Sequence, residues 1–258
     1  MKFSLILLMA TLPLLASAAD NRECVILLHG LCRTSGSMLP LEHALTVAGY
    51  RVWNVDYPSR TAAIEKLSED AIGRAVADCQ KAGATKLHFV THSLGGILVR
   101  SYLARHAIPN LGRVVMLGPP NQGSEVVDKL GSWWLFNKLN GSTARRELGT
   151  DKDSVPNQLG PANFCVGVIA GDRSINWINS LMIPGPDDGK VSVERTKLAG
   201  MSDHLVLHVT HPFLMRNRTV IRQTISFLRT GKFARGTGVS PVPAQVFCKG
   251  LRLQKIAL

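Results

Sequence analysis

The sequence predicts an α/β protein whose parallel sheet is covered by helices on both faces. Three observations carry that expectation. Strand-length runs such as "CVILLHG", "KLHFVT" and "FCVGVIAG" are largely apolar without in–out alternation, as strands buried on both faces must be. They alternate along the chain with segments of helical period. With 258 residues and 45% hydrophobic content, the chain can bury one sizeable core as a single domain.

The opening stretch "MKFSLILLMATLPLLASAAD" stands apart from that pattern. Lys2 gives a positive start, Phe3 to Leu15 an apolar run, and Ala16-Ser17-Ala18 a small-residue cleavage site. The run is short for a membrane span and contains Pro13. Residues 1–18 are therefore expected to be a signal peptide, and the mature protein to be exported, periplasmic or secreted. The domain proper is expected over residues 19–231.

Within it, Cys24 to Gly30 reads as a buried strand ending in a turn, followed by a helix over Met38 to Ala48. "YRVWNVDYP" is the second strand. In "AAIEKLSEDAIGRAVADCQKAG", Ile64, Leu67, Ala71, Ile72, Ala75 and Val76 fall on one helical face, which stops at Gly83. "KLHFVT", "GGILVRSYLARH" and "RVVMLGPP" follow as strand, helix and strand. "FCVGVIAG" and "HLVLHV" are strands, and "RNRTVIRQTISFLRTG" is the closing helix.

Two regions break this rhythm. Residues 119–161 form a long excursion containing "SEVVDKLGSWWLFNKL", expected to be a helical cap insertion. Val126, Val127, Leu130, Trp133 and Trp134 lie near one helical face there, either packing on the sheet or binding an acyl chain as a lid. Two adjacent tryptophans cannot both point inward, so Trp133 or Trp134 should line a pocket or meet a lipid surface. The tail from 232 to 258 carries five Lys/Arg, no acid, and Gly, Pro and Ser, and is expected to be disordered.

The formal net charge of +12 raises nucleic acid or an anionic lipid surface as partners. No nucleic-acid motif or basic-aromatic stripe is present, so nucleic acid is not expected; peripheral contact with anionic lipid stays open. Five cysteines (Cys24, Cys32, Cys79, Cys165, Cys248) leave at least one thiol without an intramolecular partner, and their spacing fits no metal motif. Cys24 and Cys165 fall in expected core strands as buried thiols.

The chemistry concentrates in "FVTHSLGG". Nucleophilic acyl transfer needs an exposed serine hydroxyl, a base beside it, and donors facing the developing oxyanion. A sharp strand-to-helix turn exposes Ser93 and aims a helix N-terminus at the developing charge. Gly95 allows helix and strand to approach closely, and Gly96 adds room. Thr91 stands where the elbow pattern has its first glycine, a position that needs limited bulk. Upstream, "LLHGL" places His29, Gly30 and Leu31 at a strand end; the N–H groups of Leu31 and Leu94 are the candidate oxyanion donors. His29 is expected to be satisfied by backbone rather than to transfer protons. His29, Gly30, His92, Gly95 and Gly96 thus support the elbow and its facing turn.

In this architecture the chain order is Ser, then acid, then His. Of the late histidines, His204 starts the final strand, His208 lies inside it, and His211 sits just past its end, where ligands meet parallel sheets. His211 is the expected base. Asp172, Asp187 and Asp188 are the acid candidates, with Asp188 preferred on its D-G turn.

In order, "LLHGL", "VTHSLGG", "GPPNQGS", "PDDGKVSV" and "VTHPFL" resemble an exported bacterial lipase or esterase of the α/β-hydrolase superfamily, across Glu23 to Arg229. The resemblance implies the compact fold: about six mostly parallel strands, without the two antiparallel strands that open larger members. It implies the triad Ser93, Asp188 and His211, favouring Asp188 over Asp172. It also implies that Pro119 to Ser124 borders the site, and that Thr91 is a tolerated variation. A carboxylic ester hydrolase acting on lipid-like acyl esters follows, with no metal or organic cofactor. A peptidase, amidase or acyltransferase on the same triad, or a non-catalytic hydrolase-like binder, are the alternatives.

Overall fold

The structure, a computed structural model, describes residues 22–130, 147–175 and 177–235. Six strands form one sheet in the order β2-β1-β3-β4-β5-β6: β1 (Glu23–Leu28), β2 (Arg51–Val55), β3 (Lys86–His92), β4 (Leu111–Leu117), β5 (Val166–Gly171) and β6 (Asp203–Leu207). Every adjacent pair is parallel, so the expected "mostly parallel" sheet is parallel throughout these six strands.

Burial along each strand follows its place in the sheet. The central strands are sealed: Cys24 to Leu28 of β1 and all six residues of β5 are buried, whereas the edge strand β2 is half-buried throughout. Successive side chains alternate between two cores. On one side Ile26, Leu28, Phe89, Met116 and Val168 pack beneath α2 (Ile64–Lys81) and α3 (Leu94–Leu103). On the other, Val25, Leu27, Val90, Val115 and Ile169 pack with residues of α1 (Leu39–Val47) and the closing helix (Arg218–Thr230). Each fully buried Leu, Ile or Phe contributes about 1.5–3 kcal/mol, so these two layers are the main source of stability.

Helix boundaries follow local chemistry. The α2 stripe Ile64, Leu67, Ala71, Ile72, Ala75, Val76 and Cys79 is buried, as the periodicity predicts. The closing helix starts where the Asn217 side chain accepts from the Thr219 and Val220 N–H groups.

Several expectations shift. The final strand ends at Leu207, so His208 lies beyond it rather than inside it. Cys165 precedes β5 and is only partly buried, accepting a weak hydrogen bond from the Ser202 hydroxyl at 3.6 Å. Cys24 and Cys79 are buried with their thiols against each other. The packed domain runs through Arg235 instead of stopping at Gly231. Phe233 is buried and its N–H donates to Asp203 Oδ2, while Ala234 and Gln223 exchange two hydrogen bonds.

The excursion after β4 begins with α4 (Glu125–Leu130), where Val126 and Val127 are buried in the α2/α3 core, so its first turn is packing rather than lid. It resumes with buried Leu148 and the short α5 (Val155–Gln158). Trp133 and Trp134 lie outside the described residues, as do residues 1–21 and 236–258. A further turn, α6 (Trp177–Ser180), follows β5, which makes the closing helix α7. Among the described residues no helix is long and apolar enough to cross a membrane.

Candidate active site

The sheet order reverses between β1 and β3: the chain leaves β1 toward β2 and proceeds from β3 toward β6. Crevices for ligands open at the carboxyl ends of strands flanking such a switch. Leu28 is paired with Thr91, which sets the His29-Gly30-Leu31 turn beside His92 and Ser93.

Ser93 has φ 52 and ψ −119, a backbone conformation that costs a non-glycine residue about 1–3 kcal/mol. The surroundings hold it there. Its N–H donates to Leu117 O at 2.9 Å, and its carbonyl accepts from Gly96 N–H at 3.0 Å. A Cβ on Gly95 would stand 2.7 Å from Leu28 O and 2.9 Å from Leu28 Cβ, so only glycine lets α3 sit this close to β1. Thr91 is fully buried and its Oγ1 has no hydrogen-bond partner; a Cβ on Gly96 would lie 3.4 Å from it. The threonine therefore packs as a small apolar block.

The facing turn is equally fixed. His29 is buried and stacks on Tyr57 with ring centroids 4.0 Å apart. Its Nδ1 donates to Gly30 O at 2.9 Å and its Nε2 accepts from Tyr57 N–H at 3.4 Å. Burial pushes its pKa down, which keeps this neutral, backbone-satisfied ring in place. The Leu31 and Leu94 N–H groups have no hydrogen-bond acceptor among the described residues.

The late segment supplies a carboxylate–imidazole pair. His211 Nδ1 donates to Asp188 Oδ2 at 2.7 Å, and the His211 N–H donates to Asp188 O at 2.9 Å. Asp188 Oδ1 accepts from the N–H groups of Lys190 and Val191 at 3.0 and 2.9 Å. The carboxylate is thus buried, met by three donors and unable to rotate. The other candidates are engaged elsewhere. Asp172 pairs with exposed His208 at 2.9 Å, Asp187 accepts from Ser180 Oγ and Gly189 N–H, and His204 meets Thr196 Oγ1.

His92 joins the two halves. Its Nε2 donates to His211 O at 3.1 Å, and the two rings lie 4.7 Å apart. It is buried, and desolvation aided by the His211 and Arg33 charges drives its pKa well below the ordinary value. A neutral His92 therefore positions the His211 backbone from the residue beside Ser93. Ser93 Oγ and His211 make no hydrogen bond within 3.5 Å. Such contacts commonly tighten only with substrate bound.

Several contributors were not legible in the sequence. Gly118, at φ +55 after β4, leaves room for the pair: a Cβ there would lie 3.0 Å from Asp188 Oδ2 and 3.1 Å from His211 Nδ1. A glycine directly closing an apolar strand, as at Gly171, is the signal that could have found it. Arg100 of α3 is buried, donating to the carbonyls of Asn121, Pro156 and Gly160, with burial lowering its pKa to about 10. It clamps the start of the excursion, whose Asn121 Nδ2 and Ser124 Oγ donate to Thr196 O and Lys190 O behind the acid turn.

The chain matches the sequence model of the alpha/beta hydrolase family over residues 25–212. No curated protein matches it in sequence. Among solved structures, it is similar to the mature Bacillus licheniformis lipase BlEst2 at 18% identity and TM-score 0.65, covering 86% of this chain and 96% of that one. A thermophilic esterase from Thermogutta terrifontis aligns at 15% identity and TM-score 0.56, over 81% and 90% of the two chains. A Paleococcus ferrophilus monoacylglycerol lipase aligns at 17% identity and TM-score 0.53, over 83% and 96%. With a strained serine at the switch point, an aspartate–histidine pair beside it and a family match that runs from β1 to beyond β6, the chain belongs to the alpha/beta hydrolase family.

Proposed function

We propose that the protein is a serine hydrolase of carboxylic esters. The observation that carries this reading is the 2.7 Å Asp188–His211 pair, joined through His92 to a half-buried serine in a strained turn. Ser93 Oγ attacks the ester carbonyl while His211 Nε2 takes its proton. Asp188 fixes the Nδ1–H tautomer and stabilises the imidazolium as it forms. The Leu31 and Leu94 N–H groups receive the tetrahedral oxyanion, each donor of this type contributing roughly 10²–10³ in turnover. His211 then protonates the leaving alcohol, and water repeats the sequence on the acyl-enzyme.

A lipid-like acyl group is supported by apolar side chains left in solvent on the segment after β5. Ile175, Ile178 and Leu181 are exposed there, and Ser180 ties that segment to the acid turn. The named activities of the structural neighbours, lipase and esterase, agree with that choice. The leader-like residues 1–18 support export, and with it a reaction in the periplasm or outside the cell.

The test is Ser93→Ala. Hydrolysis of p-nitrophenyl esters and labelling by a fluorophosphonate should vanish while thermal unfolding stays close to wild type. Undiminished turnover in that variant would rule the mechanism out. Initial rates from short to long acyl chains, below and above solubility, separate esterase from lipase.

A further inference from the structure

Each of the three segments that build the candidate site also carries a cation without an ion-pair partner among the described residues. Arg33 lies two residues beyond Leu31, Lys190 two residues beyond Asp188, and Arg216 ends the short helical turn that begins at His211. Among the described residues none of the three forms an ion pair. The acids of the same segments are committed elsewhere. Asp188 holds His211, and Asp187 holds Ser180 and Gly189. Asp172 holds His208, Glu125 holds Arg195, and Asp56 accepts from Ser35 N–H and faces His29.

The segments that carry the three cations come together around the Asp188–His211 pair. The Ser35–Met38 turn that follows Arg33 packs against the His211–Arg216 turn. Lys190 is anchored through its backbone, its N–H on Asp188 and its carbonyl receiving Ser124 Oγ at 2.9 Å. Arg33 is close enough to Arg216 and Lys190 for each to feel its charge, and its own pKa is lowered by burial and by Arg216. Lys190 is solvent-accessible, yet enough protein surrounds it to lower its pKa as well. Lys190 also feels the Asp188 carboxylate, but that acid is already taken up by His211 and two backbone N–H groups, so the gathered like charges are only partly compensated; a cleft of one sign concentrates ligands of the opposite sign. Beside these cations Phe213 is 45% exposed, with the Arg216 guanidinium 6.0 Å from its ring centre, so the mouth offers apolar surface and positive charge together.

We infer that the preferred substrates are anionic amphiphilic esters, in which a phosphate or carboxylate on the ester is held by Arg33, Lys190 and Arg216 while the acyl chain lies on the apolar surface. Guanidinium groups bind both anions through paired hydrogen bonds, so the shared chemistry is an oxyanion group near the scissile ester. The inference rests on the ester-hydrolase reading above and adds the class of ester.

The test compares matched pairs at submicellar concentration. Lysophosphatidylglycerol against monoacylglycerol of the same chain places a phosphate on the alcohol side. The p-nitrophenyl monoester of adipate against p-nitrophenyl hexanoate places a carboxylate on the acyl side. At least one anionic member should exceed its neutral partner about tenfold in kcat/KM, which also identifies the source of the anion. Arg33→Gln and Arg216→Gln should each lower that ratio several-fold, the double variant more, and added salt should lower it in wild type. Hydrolysis of neutral esters with both ratios near one, or a ratio unmoved in the double variant, overturns the inference. Titrating lysophosphatidylglycerol and the adipate monoester into Ser93→Ala protein separates the two readings. An anion that binds there and is lost with Arg33→Gln and Arg216→Gln supports the cationic mouth even if no ester is hydrolysed. Absence of binding together with equal ratios sinks it.

Discussion

The two halves of the candidate site are held by different forces. The serine half is held by packing. Gly95 lies against the Leu28 backbone, Thr91 is sealed without a partner for its hydroxyl, and the strain at Ser93 is contained by the strands beneath it. The acid–histidine half lies on loops and is held by hydrogen bonds: three onto the Asp188 carboxylate, one from His92, and the Arg100 clamp behind the acid turn. Packing tolerates loss of charge but not change of volume. A hydrogen-bonded loop tolerates modest change of volume but not loss of one donor or acceptor. Substitutions in the two halves should therefore separate activity from stability in opposite ways.

Asp188→Asn breaks the polar half most sharply. The amide retains an oxygen for the Lys190 and Val191 N–H groups but presents a donor to His211 Nδ1, which stabilises the wrong tautomer. The turnover number should fall on the order of 10⁴-fold, as a neutralised triad acid does elsewhere, with little change in thermal unfolding. Loss of activity of tenfold or less would move the acid role to another residue.

Arg100→Met removes the clamp and leaves the carbonyls of Asn121, Pro156 and Gly160 buried without donors. Destabilisation of about 3 kcal/mol in urea unfolding is expected. Arg100→Lys should recover only part of it, because one ammonium cannot reproduce the forked contacts. Equal stability of the Lys variant and wild type would contradict the clamp.

Gly95→Ala breaks the packing half. Its methyl must displace Leu28 or α3, costing about 2 kcal/mol and tilting Ser93 away from the Leu31 turn. Stability and kcat should fall together, in contrast to Asp188→Asn. Thr91→Val is the smallest test. It replaces an unsatisfied buried hydroxyl by a methyl of the same shape and should stabilise by about 1 kcal/mol or less, with unchanged activity. A marked loss of activity would give Thr91 a role beyond packing.

The serine half was the more legible in the sequence because its signals are local. A strand run, a serine and two glycines within a few residues define the turn, and their chemistry hardly depends on distant neighbours. His211 could be placed just past the last strand, but the apolar pattern puts His208 inside that strand, which ends at Leu207. Asp172 and Asp188 each follow a plausible turn. Only the register of β5 and β6 sends Asp172 to His208 and leaves Asp188 for His211. Gly118, His92 and Arg100 carried weak signals, since each acts through residues far along the chain.

Composition and periodicity by themselves pointed to the parallel α/β architecture and the two-faced burial of the central strands, because those follow from which residues avoid water and at what spacing; the turn at Ser93 was marked instead by its local motif of a strand run, a serine and two glycines. The tertiary structure alone decided which acid meets which histidine, that a neutral His92 bridges the halves, and that the segments bearing Arg33 and Arg216 pack together. Those depend on where separate loops end in space, and hydrophobic periodicity carries no information about that.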